Sequence, residues 1–178
     1  MDMTHPSSLK PKKLIRNLED FGCTHLFCSP MVLRKLSEYG ESKNIKLNFL
    51  KRVMTSGATI PEDLVRNFRK MLLDNAEILT IYGATEALPI SDINDKELHQ
   101  LHLDPTCDKN GICIGYPIRG IEIKIIPITD DEVSNIDHTE EVMAHEVGEI
   151  IVKGPVVTQE YLGMENQKQA KIWDAKSE

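Results

Sequence analysis

The sequence predicts an α/β fold in which a mostly parallel sheet carries helices on both faces and is followed by a β-rich lobe. Helical and strand patterns alternate over the first half of the chain, whereas later strand patterns follow one another without an intervening helix. With 178 residues, 40% of them hydrophobic, the chain can bury one sizeable core. The predicted parts are an α/β subdomain at 1–90, a β-rich subdomain at 91–162, and the truncated start of a helical segment at 163–178.

Six elements are predicted in the first part. Leu14, Ile15, Leu18 and Phe21 share one helical face before Gly22, and Pro residues open the next two helices. The predicted helices cover 12–21, 30–40 and 61–72, and the strands cover 24–28, 50–55 and 76–81. Strand-helix-strand order implies right-handed crossovers and a parallel sheet.

The carboxyl ends of parallel strands meet at one edge of a sheet, where α/β proteins usually bind ligands. Three polar or glycine-containing segments follow the three predicted strands: 29–30, 56–59 and 82–86. We therefore expect these segments to lie along one edge, and one crevice to contain all three.

The second part of the sequence differs from the first in composition and in the order of its predicted elements. Residues 92–110 are polar and rich in turn formers, and no element is predicted there. Strands are predicted at 112–115, 120–126 and 148–155, with the acidic segment 130–146 as a long hairpin excursion. A helical pattern begins at 165.

Segment 82–86 has side chains suited to a nucleotide. Tyr82 offers a flat aromatic face, Gly83 a flexible backbone, Thr85 a hydroxyl, and Glu86 a carboxylate that suits magnesium. A purely structural alternative remains, in which Thr85 caps a turn, Glu86 satisfies its backbone and Tyr82 fills the core.

Composition and charge argue against several classes of protein. The net charge of −7, without a basic stripe, disfavours non-specific binding to nucleic acid and to anionic membranes. No apolar run reaches the roughly 18 residues of a membrane span. The first residues lack the order of a signal peptide, so we expect a cytoplasmic protein.

Metal-binding and disulfide frameworks are not expected either. The four cysteines form no Cys-x-x-Cys pair and are interpreted as reduced and structural. His99, His102 and Cys107 stand near one another in sequence but lack a second paired motif, so a solvated surface segment is the better interpretation than zinc ligands.

Three ordered segments resemble the adenylate-forming superfamily, which includes acyl-CoA synthetases, luciferases and peptide-synthetase adenylation domains. Segment 82–86 is similar to its signature, 55–61 to its adenine-wall segment, and 148–155 followed by Tyr161 to its Gly-Glu…Gly-Pro motif. The resemblance implies that the chain is part of the large N-terminal domain of such an enzyme and that the β-rich lobe is part of a barrel.

Within that superfamily, the chain resembles bacterial olefin-pathway β-lactone synthetases and fatty-acid CoA ligases. The matching segments are 82–89, 111–117, 125–130 and 154–158. The resemblance implies that the parent enzyme uses ATP to form an acyl-AMP from a fatty or 3-hydroxy fatty acid, before transfer to CoA or β-lactone closure. One alternative is an adenylation domain that loads a carrier protein, and another is a non-catalytic nucleotide-binding or interaction module.

The resemblance also implies roles for individual residues. ATP or AMP would lie on the ring of Tyr82 and against a backbone wall, the Thr85 hydroxyl would bond the α-phosphate, and Glu86 would hold Mg²⁺. Thr85 and Glu86 are the implied catalytic residues. The implied nucleotide-binding residues are Ser56, Gly57, Ala58, Thr59, Tyr82, Gly83, Ala84 and Thr85. Residues 88–90 are either acyl-tunnel lining or core.

Some family motifs do not occur in the 178 residues. These are the phosphate loop that ends in lysine, the Thr-Gly-Asp segment, and the C-terminal domain with its catalytic lysine. We therefore expect an internal fragment that lacks N- and C-terminal parts of its parent chain and does not catalyse adenylation alone. The sequence leaves the acyl chain length and acyl acceptor open.

Overall fold

The computed structural model describes residues 9–104, 111–131, 133 and 135–158. Its contacts divide the chain into two compact units. The first comprises the described residues of Met1–Gly83 and Ser91–Tyr116, and the second those of Ala84–Ile90 and Pro117–Glu178.

The first unit is built from alternating helices and strands, as the sequence predicts. In chain order they are α1 Pro11–Asp20, β1 His25–Cys28, α2 Pro30–Lys43, β2 Arg52–Thr55, α3 Glu62–Arg69 and β3 Glu77–Ala84, followed by β4 Ala87–Asn94, α4 Asp95–Leu103 and β5 Tyr116–Pro117. β3 ends, and β4 begins, in the second unit. Pro11 and Pro30 occupy first-turn positions, where a missing N–H costs no helical hydrogen bond.

The sheet of the first unit has the strand order β1-β2-β3-β4-β5. β1, β2 and β3 are parallel and in register, so Cys28, Thr55 and Thr80 form one row across them. A two-residue turn joins β3 to β4, too short for the crossover that parallel neighbours need, so the sheet is mixed. This confirms the predicted α/β class and its parallel strands.

One face of the parallel strands belongs to the main core. Alternate residues Leu26, Val53 and Ile78 are buried, and they join apolar side chains from all four helices in one cluster. Its fully buried helical members are Leu33, Leu36 and Phe68. The alternate face is more open, since Phe27 on β1 is 58% exposed.

Three helix ends differ from their predicted positions, and α3 ends at Arg69 instead of residue 72. α2 does not stop at Gly40 but continues to Lys43, where Asn44 adopts the left-handed conformation with φ 50°. Gly40 is buried, and a Cβ atom there would meet the side chain of Met71. Its lack of a side chain thus serves packing inside the helix. Phe21, expected on the buried face of α1, follows the helix and is 82% exposed.

The expectation of an irregular segment at 92–110 was wrong for its first twelve residues. Asn94 ends β4 and caps α4, because its side chain accepts hydrogen bonds from the N–H groups of Lys96 and Glu97. Leu98 carries the buried side of this helix. Leu101 packs against the same core, but polar and charged residues at most of the other positions leave only a short apolar pattern. The strand predicted at 112–115 was also wrong, since β5 covers only the next two residues.

The second unit contains an antiparallel strand pair. β6 Glu122–Ile126 pairs with β7 Glu149–Lys153, and a short 3₁₀ helix at Ile136–His138 lies between them. A small second core consists of Ile126, Val133, Ile136 and Ile151. The predicted hairpin excursion is confirmed, and the Val142 N–H donates to the Ile125 carbonyl at 2.9 Å. Within the described ranges the strands form no closed barrel.

Two predicted features belong to the C-terminal part of the chain. Tyr161 and the helical pattern from residue 165 lie outside the described residues. Among the residues that are described, no helix has the length and apolar character needed to cross a membrane.

Candidate nucleotide-binding site

Two of the predicted segments lie at one edge of the sheet in the first unit. The register aligns Thr55 at the end of β2 with Thr80 on β3. Ser56 follows Thr55 directly, and Tyr82 comes two residues after Thr80. β1 ends in the same row at Cys28, before Ser29. The ends of β1 and β2 therefore share an edge, as predicted, whereas β3 continues past this row to Ala84. That one crevice contains all three segments stays a prediction.

The segment 56–59 presents its backbone to solvent. Ser56 is 7% exposed, whereas Gly57, Ala58 and Thr59 are exposed. Gly57 has φ +93°, a backbone conformation that residues with a side chain rarely adopt. No atom lies within 4 Å of a Cβ placed there. The space beside Gly57 is therefore open, as close approach of a flat ligand to the backbone requires.

Thr55, just before this segment, is fully buried. Its hydroxyl has no hydrogen-bond partner among the described residues, whereas the neighbouring Thr80 hydroxyl donates to the Ile93 carbonyl at 3.4 Å. Burial of an unpaired hydroxyl is costly. Since it is enclosed, the Thr55 side chain belongs to the core side of the strand end and not to the exposed surface.

Tyr82 lies near the end of β3 and is 37% exposed. Because successive residues of a strand point to opposite faces, Tyr82 lies on the same face of β3 as Ile78 and Thr80. It is closer than they are to the carboxyl end of the strand. The strand is longer than predicted, because it continues past Ile81 to Ala84. Tyr82 thus has a partly accessible ring on a rigid strand.

Thr85 and Glu86 form the two-residue turn between β3 and β4 and belong to the second unit. Both residues are exposed, as is Ala84 before them. A hydroxyl and a carboxylate on consecutive exposed residues can contact a phosphate and a magnesium ion. Within 82–86, Glu86 is the residue that could hold a metal ion.

A later segment of the second unit contacts this turn. The Thr158 N–H donates to the Glu86 carbonyl at 2.6 Å, and Val157 forms an antiparallel bridge with Ala87. Neither Val157 nor Thr158 was among the predicted site residues. They do belong to a segment, 154–158, that carries part of the resemblance, which is the sequence signal that could have pointed to them.

Sequence comparison identifies the family. The sequence model described as AMP-binding enzyme matches residues 3–162. The chain therefore belongs to the family of AMP-binding enzymes. This confirms the resemblance deduced from segments 55–61, 82–86 and 148–155.

Among individual relatives, the chain is 34% identical over 161 residues to an olefin beta-lactone synthetase of Stenotrophomonas maltophilia, covering 90% of this chain and 28% of that protein. It is 26% identical over 161 residues to a long-chain-fatty-acid–CoA ligase of Thermus thermophilus, covering 88% of this chain and 27% of the ligase. The chain thus spans just over a quarter of the length of these curated relatives.

The fold is also found in solved structures. The amide bond synthetase McbA from Marinactinospora thermotolerans matches with a TM-score of 0.65 at 22% identity, covering 88% of this chain and 28% of that one. At this identity the match supports the fold alone.

Proposed function

We propose that this chain supplies the adenine and α-phosphate contacts of an ATP-dependent acid ligase that forms an acyl-AMP. The observation that carries the proposal is the parallel register of Thr55 and Thr80, which brings the open backbone at Gly57 and the partly exposed ring of Tyr82 to the same edge of the first unit. Thr85 and Glu86 follow in the next turn of the chain.

The proposed chemistry needs positioning and charge neutralisation and no protein nucleophile. A carboxylate attacks the α-phosphate of ATP and pyrophosphate leaves. Tyr82 stacks on adenine, and Ser56 to Thr59 form a backbone wall beside it. Gly83 and Ala84 leave room for the acyl carboxylate to approach phosphorus. The Thr85 hydroxyl donates to an α-phosphate oxygen, and Glu86 binds Mg²⁺.

For the substrate, we propose a fatty acid or a 3-hydroxy fatty acid. Support comes from the relatives, one a β-lactone synthetase and another a long-chain fatty-acid CoA ligase. Three versions of this reaction differ in the acyl acceptor. The acceptor is CoA, a carrier protein or the substrate's own hydroxyl. The proposed location is the cytoplasm. We further propose that these 178 residues bind nucleotide without turnover, because they contain no lysine-terminated phosphate loop.

Calorimetric titration with AMP in the presence of Mg²⁺ tests the binding. The Thr85→Val variant should bind about 10-fold more weakly, since a hydrogen bond to a charged group is lost. Thr24→Val is the matched control, because Thr24 is at the amino end of β1 and its hydroxyl contacts His25. Equal affinities of Thr85→Val and wild type would refute the role of Thr85.

Pyrophosphate release tests the second part of the proposal. Incubation of the chain with ATP, Mg²⁺ and a 3-hydroxy fatty acid should give no release above the background without protein. Turnover at about the 1–10³ s⁻¹ of ordinary enzymes would contradict it.

A further inference from the structure

Thr85 and Glu86 form an exposed turn that is proposed to contact the ligand. Both residues are exposed, so packing in the core does not hold them. Catalytic and metal-binding groups need placement to within about 0.5 Å, and a site of looser geometry loses affinity. The backbone of the turn must therefore be fixed by contacts of its own.

Such contacts come from the chain after β7. The Thr158 N–H donates to the Glu86 carbonyl at 2.6 Å. One residue earlier, Val157 bridges Ala87 in antiparallel fashion. The hydrogen bond belongs to this bridge, because an antiparallel pair of residues 87 and 157 is flanked by a bond between residues 86 and 158. The later segment thus contacts the C-terminal side of the turn through one short main-chain pairing.

The later segment forms a turn that directly follows the strand pair. The Val157 N–H donates to the Gly154 carbonyl at 3.1 Å and closes a turn. Gly154 has φ +157°, and a Cβ there would lie 2.6 Å from the Ile121 Cδ1 atom and 2.9 Å from the Gly120 carbonyl oxygen. Gly154 directly follows β7, whose pairing with β6 continues to Lys153. The strand pair thus provides a fixed base for Val157 and Thr158.

We propose that Val157 and Thr158 are positioning residues that hold the Thr85–Glu86 turn in the conformation in which it binds phosphate and magnesium. The inference rests on the proposed nucleotide function, and it adds that the β6–β7 pair serves the site through this segment. The Thr158 side chain has no part in it, because the contact uses the main-chain N–H.

Substitution at Thr158 separates the main-chain N–H from the side chain. Thr158→Pro removes the donor, whereas Thr158→Ala keeps it. Thr158→Pro should weaken binding of Mg·AMP by about 3- to 10-fold, the loss expected for one hydrogen bond. It should leave the affinity for adenosine unchanged, because adenosine has neither phosphate nor magnesium. Thr158→Ala should bind both ligands as wild type does.

A general loss of structure would lower both affinities together, so the split between Mg·AMP and adenosine distinguishes positioning from folding. Because a Pro ring also restricts Val157, a second variant should carry an ester in place of the amide at residue 158. It removes the N–H without a ring and should show the same split. Wild-type affinity of the ester variant for Mg·AMP would overturn the inference.

Hydrogen exchange of the wild-type chain gives a readout that needs no variant. The Thr158 amide should be protected without ligand and exchange more slowly still with Mg·AMP. Exchange at the rate of an unstructured peptide would overturn the inference even if AMP binds. If wild type binds no AMP while this amide is protected, the proposed nucleotide function fails, and with it the positioning role.

Discussion

Arg69 binds Asp95 through two parallel hydrogen bonds, Nε to Oδ2 at 2.6 Å and Nη2 to Oδ1 at 2.7 Å. The pair joins the end of α3 to the start of α4. Asp95 also accepts the N–H of Ile78 on β3 at 3.3 Å, so one carboxylate connects three elements of the first unit. The side chains are 21% and 8% exposed, which makes this a largely desolvated pair.

Removing the arginine should destabilise the first unit strongly. Arg69→Ala leaves the Asp95 carboxylate without its main partner, and we expect a loss of about 2–4 kcal/mol in the free energy of unfolding. Urea denaturation measures it. Arg66→Ala is the matched control, since the Arg66 side chain is 53% exposed in its pair with Glu62 and should contribute less than about 1 kcal/mol. Similar losses in both variants would contradict this account of the pair.

Gly115 should tolerate no side chain. It has φ +85°, and a Cβ there would collide with the Asp92 carbonyl group, which is backbone and cannot rotate away. Gly115→Ala should therefore cost about 2–4 kcal/mol, combining backbone strain with overpacking. Gly111→Ala is the control, because no atom lies within 4 Å of its Cβ position. Melting temperatures compare the two variants, and a Gly115→Ala protein as stable as Gly111→Ala would disprove the predicted collision.

Cys28 should make stability depend on alkaline pH. Burial raises the pKa of its thiol from 9.0 to about 12. Between these values the unfolded chain has lost the proton while the folded chain keeps it, so the free energy of unfolding falls as pH rises. The contribution of the protonated Cys28 thiol to the free energy of unfolding is complete below about pH 9. It decreases by about 1.4 kcal/mol per pH unit above that value. Denaturation of wild type and Cys28→Ala from pH 8 to 10.5 should show a steeper decline for wild type, and parallel curves would contradict it.

Local sequence signals were sufficient for the first three helices and strands. Apolar spacing, first-turn prolines and strand order predict these elements and their parallel arrangement, because such features depend on neighbours in sequence. The register that aligns Thr55 with Thr80 comes from the structure. Helix α4 escaped prediction because its apolar face is short, with Leu98 and Leu101 packed on the core, and because its start is fixed by the Asn94 cap and the Arg69–Asp95 pair.

In the candidate site, too, some residues could be predicted from local sequence signals and others could not. The resemblance and the strand ends together pointed to Gly57, Tyr82 and the turn at Thr85 and Glu86. The hydrogen bond from Thr158 to Glu86 joins residues far apart in the chain, and no local pattern encodes such a pairing. Its main-chain donor has no side-chain signature either.

The central claim is that Tyr82 and its neighbours bind the adenine nucleotide. Titration of AMP with Mg²⁺ into wild type, Tyr82→Ala and Tyr116→Ala tests it most directly, since Tyr116 is a second tyrosine with 59% exposure outside the proposed site. Aromatic stacking on a base contributes about 1–3 kcal/mol, so Tyr82→Ala should bind at least about 5-fold more weakly while Tyr116→Ala matches wild type. Equal affinity of Tyr82→Ala and wild type, or no binding by wild type, would contradict the account.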